Sequence, residues 1–146
     1  MPALPENNLL DDNYFMNEAL KLAQRASDED EIPIGAVIVF NNRIIGRGYN
    51  QTEKLNDVTA HAEMLAITAA ANHLQAKFLD ECRLYVTIEP CPMCAAAIQW
   101  ARIPTVIYGA PESKFGYTRF SPSLISDKTE IICGIKGGEA KSLMQE

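Results

Sequence analysis

The chain predicts an α/β fold, a three-layer α/β/α sandwich around a five-stranded mixed sheet. Two observations carry this. Short apolar runs rich in Val, Ile and Tyr alternate with stretches of helical periodicity, and helices separate the second, third and fourth of those runs. A tight Asn41-Asn42 turn makes the first two runs a hairpin, so antiparallel and crossover pairings must share one sheet.

In chain order, residues 1–11 read as a loose lead-in. From about Asp12 to Ser27, Phe15, Ala19, Leu22, Ala23 and Ala26 recur at helical spacing, and the acidic run Asp28 to Glu31 ends that helix as a solvated turn. Residues Ile34 to Phe40 lack polar alternation, as a strand covered on both faces would. Arg43 to Tyr49 is its hairpin partner, and residues 50–58 form a polar loop. Thr59 is the expected N-cap of an alanine-rich helix from His61 to about His73 that packs closely on the sheet. Cys82 to Ile88 is the third strand. Pro90 and Pro92 open a helix from Cys91 to Trp100, where the missing proline N–H is no loss. Thr105 to Tyr108 and Glu130 to Ile135 are strands four and five, joined by a long loop over 111–129 with room for a short helix. A last helix starts at Gly138.

The 146 residues are expected to form one domain, 1–146, long enough for a sizeable core. No run of about 18 apolar residues is present, which argues against a membrane span. The acidic start MPALPENNLLDD does not read as a signal peptide, which points to a cytoplasmic protein with reduced thiols. Cys82 and Cys133 then read as ordinary buried thiols in strands. The net charge of −6 weighs against a nucleic-acid partner until its distribution is considered. Residues 1–32 hold eight acids and two bases, and the remainder is neutral. Acidity therefore belongs to the first helix and its flanks.

The chemistry sits in His61-Ala62-Glu63 and Pro90-Cys91-Pro92-Met93-Cys94. His61, Cys91 and Cys94 offer one imidazole and two thiolates, a donor set suited to a single zinc ion, and three protein ligands leave a fourth position for water or hydroxide. Both segments fall where a helix begins, and the positive field of a helix N-terminus favours ionised thiols. Glu63, two residues from His61, remains free to take the proton of a water whose ionisation zinc brings near neutral pH. H-x-E or C-x-x-C alone is weak, and each of these residues has an ordinary structural reading. Both halves together, in this order, form the signature of zinc nucleobase deaminases. A structural four-ligand site would need Cys82, Cys133 or His73, none of which has suitable spacing. Lys114, Phe115, Tyr117, Arg119 and Phe120 interleave bases with aromatics, as an RNA-stacking platform does and as a packed interface loop also would.

Through EIPIGAVIV (31–39), RIIGRGYN (43–50), DVTAHAEM (57–64), LYVTIEPCPMCAAAI (84–98) and VIYGAPESKFG (106–116), the chain resembles the bacterial tRNA adenosine deaminases within the cytidine-deaminase-like superfamily. The resemblance spans about Leu20 to Ile135. It implies zinc on His61, Cys91 and Cys94, and proton shuttling by Glu63. It also implies target-nucleoside contact by Asn50, which from sequence alone reads as a turn residue. The implied activity is hydrolysis of wobble adenosine to inosine in a tRNA anticodon stem-loop, by a homodimer. Two features depart from the family. The last helix is shorter and less basic than usual, and Pro92 with Trp100-Ala101-Arg102 is similar to bacterial guanine deaminases. A free base or nucleoside, guanine before cytosine or cytidine, is therefore the second expectation. A non-catalytic zinc-stabilised binding module is the third, and the free Glu63 weighs against it.

Overall fold

A computed structural model describes residues 10–145, so the lead-in expected over 1–9 lies outside the described residues. Eleven elements follow in order: α1 (Asp12–Asp28), β1 (Gly35–Phe40), β2 (Arg43–Tyr49), α2 (Ala62–Leu74), β3 (Arg83–Ile88), α3 (Pro92–Trp100), β4 (Thr105–Ala110), α4 (Tyr117–Phe120), a 3₁₀ turn (Pro122–Leu124), β5 (Glu130–Cys133) and α5 (Gly137–Gln145). The sheet order is β2-β1-β3-β4-β5. β1 pairs antiparallel with β2 and β3, while β3–β4 and β4–β5 are parallel. This is the expected mixed five-stranded sandwich.

Alternating side chains of the inner strands feed two apolar layers. Ala36, Ile38, Leu84, Val86 and Val106 face α2 and α3, with Ala66, Ala70, Ala95 and Ile98 against them. Val37, Val39, Tyr85 and Ile107 face the opposite side, where Phe15, Met16 and Ala19 of α1 cover them. β1 is buried through both, which explains its unbroken apolar sequence. Asn41 and Asn42 both take positive φ, 51° and 61°, as a two-residue hairpin turn that follows the strand twist requires. Asn42 also ties the approach to α1, exchanging hydrogen bonds with the Leu10 backbone at 2.9 and 3.1 Å. Asp12 at the start of α1 reaches across to Arg83 and the Tyr85 hydroxyl of β3.

The alanine-rich α2 lies very close to β2. A β-carbon at Gly48 would come within 2.2 Å of the Ala62 carbonyl oxygen, and one at Gly46 within 2.4 Å of that of Ala66. The strand can therefore carry no side chain at either position.

Several expectations need correction. His61, not Thr59, is the N-cap of α2, because Thr59 is drawn into a turn in which its N–H and hydroxyl both donate to Asp57 Oδ1. Pro92 opens α3, whereas Pro90 stays outside it and Cys91 is the cap residue. The acidic run after α1 is not simply solvated. Glu31 is buried and accepts from the Glu53 and Lys54 amides at 3.1 and 2.8 Å, and Glu29 accepts the Tyr49 hydroxyl at 3.0 Å. Cys82 is buried as expected, but Cys133 is exposed, because β5 is an edge strand.

Candidate active site

His61 and Cys91 cap α2 and α3, both with extended backbone (ψ 155° and 169°), and Cys94 occupies the first turn of α3. β2 and β3 both run antiparallel to β1 and so point the same way, which brings the starts of the helices that follow them to one end of the sheet. His61 Nδ1 lies 3.6 Å from Cys91 Sγ and 3.5 Å from Cys94 Sγ, and all three donor atoms lie within 4.8 Å of one another. In a tetrahedral shell with Zn–N about 2.1 Å and Zn–S about 2.3 Å, nitrogen and sulfur stand about 3.6 Å apart. The residues fit a zinc ion in donor type and spacing, and the three are positioned to bind one.

The thiols respond to each other. Cys91 is pulled down to about 4, chiefly by a hydrogen bond with Cys94 and further by His61. Cys94 is pushed up strongly by that same contact and by burial. Each thiol shifts the other in opposite directions, and a dication held between them would favour ionisation of both. His61 is shifted upward, mainly through its hydrogen bond with Cys91.

Glu63, in the first turn of α2, is only 4% exposed and lines the same cleft as His61 and Cys91. Burial is the main cause that raises its carboxyl to about 7. It stands outside the ligand cluster. The cleft has a volume of about 960 Å³, near the upper end for small-ligand sites. Asn50 is buried in its wall, with its backbone N–H donating to Ile34 O at 3.1 Å, so it joins the site.

The expected RNA platform divides. Phe115 and Phe120 are 63% and 59% exposed and line the cleft mouth. Tyr117 is 4% exposed and packs into the core beside α3, so its place in a stacking surface is withdrawn. Lys114 and Arg119 are exposed on the same segment but do not line the cleft, and Arg119 donates to Ser113 O at 3.1 Å. Sequence reasoning missed Ile32, Val58 and Met144 in the cleft wall, together with the buried Glu89. The signal available for Glu89 was its position: a carboxylate directly after the strand, next to Pro90-Cys91.

Fold and ligand cluster together define a zinc-dependent hydrolase of the deaminase class. The family described as the cytidine and deoxycytidylate deaminase zinc-binding region matches residues 10–110. A tRNA-specific adenosine deaminase of Streptococcus pyogenes serotype M18 is 43% identical over 143 residues, covering 94% of this chain and 90% of that one. A chloroplastic tRNA(adenine(34)) deaminase of Arabidopsis thaliana is 50% identical over 105 residues, which are 72% of this chain but 8% of the other. Among solved structures, one from work on A-to-I editing by tRNA:A34 deaminases superposes with a TM-score of 0.83 at 42% identity, covering 89% of this chain and 98% of that chain. A guanine deaminase from Bacillus subtilis gives 0.69 at 41% identity over 75% of this chain and 73% of its own. The chain belongs to this zinc-binding deaminase family and, within it, groups with the tRNA-specific adenosine deaminases.

Proposed function

We propose that this protein hydrolytically deaminates adenosine to inosine at the wobble position of a tRNA anticodon. The observation that carries the chemistry is a buried Glu63 outside the His61–Cys91–Cys94 donor cluster, lining the same cleft of about 960 Å³. The likeness to tRNA-specific adenosine deaminases over 94% of the chain supports the substrate. His61, Cys91 and Cys94 would hold zinc, with water as the fourth ligand. Once bound, the metal supplies Lewis acidity that brings water ionisation near neutral pH.

The chain's own residues handle the protons. Glu63 takes one from the attacking water and delivers it to a ring nitrogen of the adenine. A carbon–oxygen bond forms at the carbon that bears the amine. Glu63 then receives the hydroxyl proton and passes it to the amine, the carbon–nitrogen bond breaks, and ammonia leaves. Burial suits this shuttle, because it keeps the carboxyl near neutrality and able to carry a proton either way. Asn50 holds the target nucleoside, while Phe115 and Phe120 offer ring faces to its neighbours. An anticodon loop nucleotide is cheap to unstack, which fits a cleft that must receive an extruded base. A homodimer working in the cytoplasm belongs to this reading, and Trp100 on α3, exposed at the surface, is open to contact with a second copy.

The test is ammonia release by zinc-loaded protein from an anticodon stem-loop carrying wobble adenosine, run beside free guanine, cytosine, cytidine and adenosine. Turnover of the stem-loop alone is the expected result. Turnover of guanine alone would move the protein to the base-deaminating branch.

A further inference from the structure

Glu89 directly follows β3, two residues before Cys91, and the proton chemistry above does not use it. Glu89 is 5% exposed, and among the described residues the donors to its carboxylate come from one short segment. Glu112 N–H donates to Oε1 at 3.2 Å, and Thr118 N–H and Oγ1–H donate to Oε2 at 3.1 and 2.7 Å. The segment closes over the carboxylate only because residue 116 is glycine, where a β-carbon would come within 2.3 Å of Oε2. A further tie lies alongside, from Tyr117 N–H to Pro90 O at 2.9 Å. A buried carboxylate is tolerated when donors replace its hydration, and here one segment supplies three. That segment carries Phe115 and leads into Phe120, the two rings at the cleft mouth.

We propose that Glu89 is a positioning residue that anchors the 112–118 segment to the ligand-bearing end of β3. It thereby seats Phe115 and Phe120 as the stacking surface for bases flanking the target nucleotide. The anchoring stands on the contacts alone; the stacking role rests on the RNA reading of the cleft. The opposite wall is held the same way by Glu31, through the Glu53 and Lys54 amides, and so provides a control.

The test combines residue-resolved amide hydrogen exchange with steady-state kinetics on the stem-loop, using the zinc-loaded full chain. In Glu89→Ala the Glu112 and Thr118 amides should exchange roughly tenfold faster, while those of Glu53 and Lys54 and of α2 stay unchanged. Glu31→Gln should reverse that pattern. KM for the stem-loop should rise roughly tenfold in Glu89→Ala with kcat within about threefold, the signature of lost binding without lost chemistry. Thr118→Val removes one donor and keeps the backbone, so it should raise KM by roughly threefold and decides the matter if Glu89→Ala does not fold. Unchanged exchange at 112 and 118 would overturn the anchoring. A fall in kcat at constant KM, or loss of zinc from Glu89→Ala, would overturn the positioning role. A wild-type protein inert on the stem-loop would defeat the substrate reading and with it the stacking role, leaving the exchange data to decide the anchoring alone.

Discussion

Glu63 differs from its neighbours in the site in standing outside the His61–Cys91–Cys94 donor cluster while lining the same cleft. Removing its carboxyl should therefore leave the ligand cluster intact and stop proton transfer. In Glu63→Gln, zinc content by atomic absorption should match wild type, and kcat should fall by roughly 10²–10⁴, the range for loss of one general acid–base. Near-normal turnover would remove Glu63 from the mechanism. His61, Glu63, Cys91 and Cys94 could be read from the sequence because soft donors and an unpaired acid at this spacing have few other uses. Glu31 and Glu89 could not. Each is an ordinary acid in sequence, and only the folding of a distant segment over it, 53–54 or 112–118, makes it a buried anchor. Tyr117 failed for the reverse reason. Alternation of bases and aromatics does not say which ring turns inward, and the one-turn helix α4 turns this one into the core.

Elements were readable where periodicity and turn chemistry agreed. The Asn41-Asn42 hairpin and the alanine-rich α2 both appear as expected. Boundaries slipped where a polar side chain had two possible employments, as Thr59 did between capping a helix and closing a turn with Asp57. How close α2 sits to the sheet was foreshadowed by alanine content, but which residues touch depends on the strand's facing side. Gly48 shows the consequence. Gly48→Ala drives a methyl into the Ala62 carbonyl at the start of the helix that bears Glu63, with backbone on the other side and no flexible tip to yield. Overpacking of this kind should cost about 1–3 kcal/mol in urea unfolding, and kcat should fall as the helix end shifts. Gly138→Ala is the counterpart. It lies in α5 with nothing within 4 Å of the added methyl, so it should gain up to about 1 kcal/mol from helix propensity. If both variants behaved alike, the close contact between β2 and α2 would not be what fixes this helix.

Across the whole molecule, the zinc ligands come from the starts of two helices separated in sequence by β3, so metal occupancy should report on how firmly α2 and α3 are held together. A ligand that binds only the folded state adds about 4 kcal/mol when present at a thousand times its dissociation constant. Near 150 residues, 1 kcal/mol moves the thermal midpoint by about 2–4 °C, so chelation should lower it by roughly 10 °C. Thiol labelling locates the effect. With zinc bound, Cys133 is the thiol open to alkylation, since Cys82 is buried, with burial pushing its thiol up to about 11, and Cys91 and Cys94 are engaged. Chelation should expose Cys91 next, because it is half-buried where Cys94 is buried, and its thiol is shifted downward by its contacts with Cys94 and His61. Mass spectrometry should therefore find a single label per loaded chain, on Cys133, and a second on Cys91 after chelation. Equal labelling of Cys91 in both states would remove it from the ligand set. A thermal midpoint that ignored chelation while labelling changed would mean that the sheet holds the two helix ends in place without the metal.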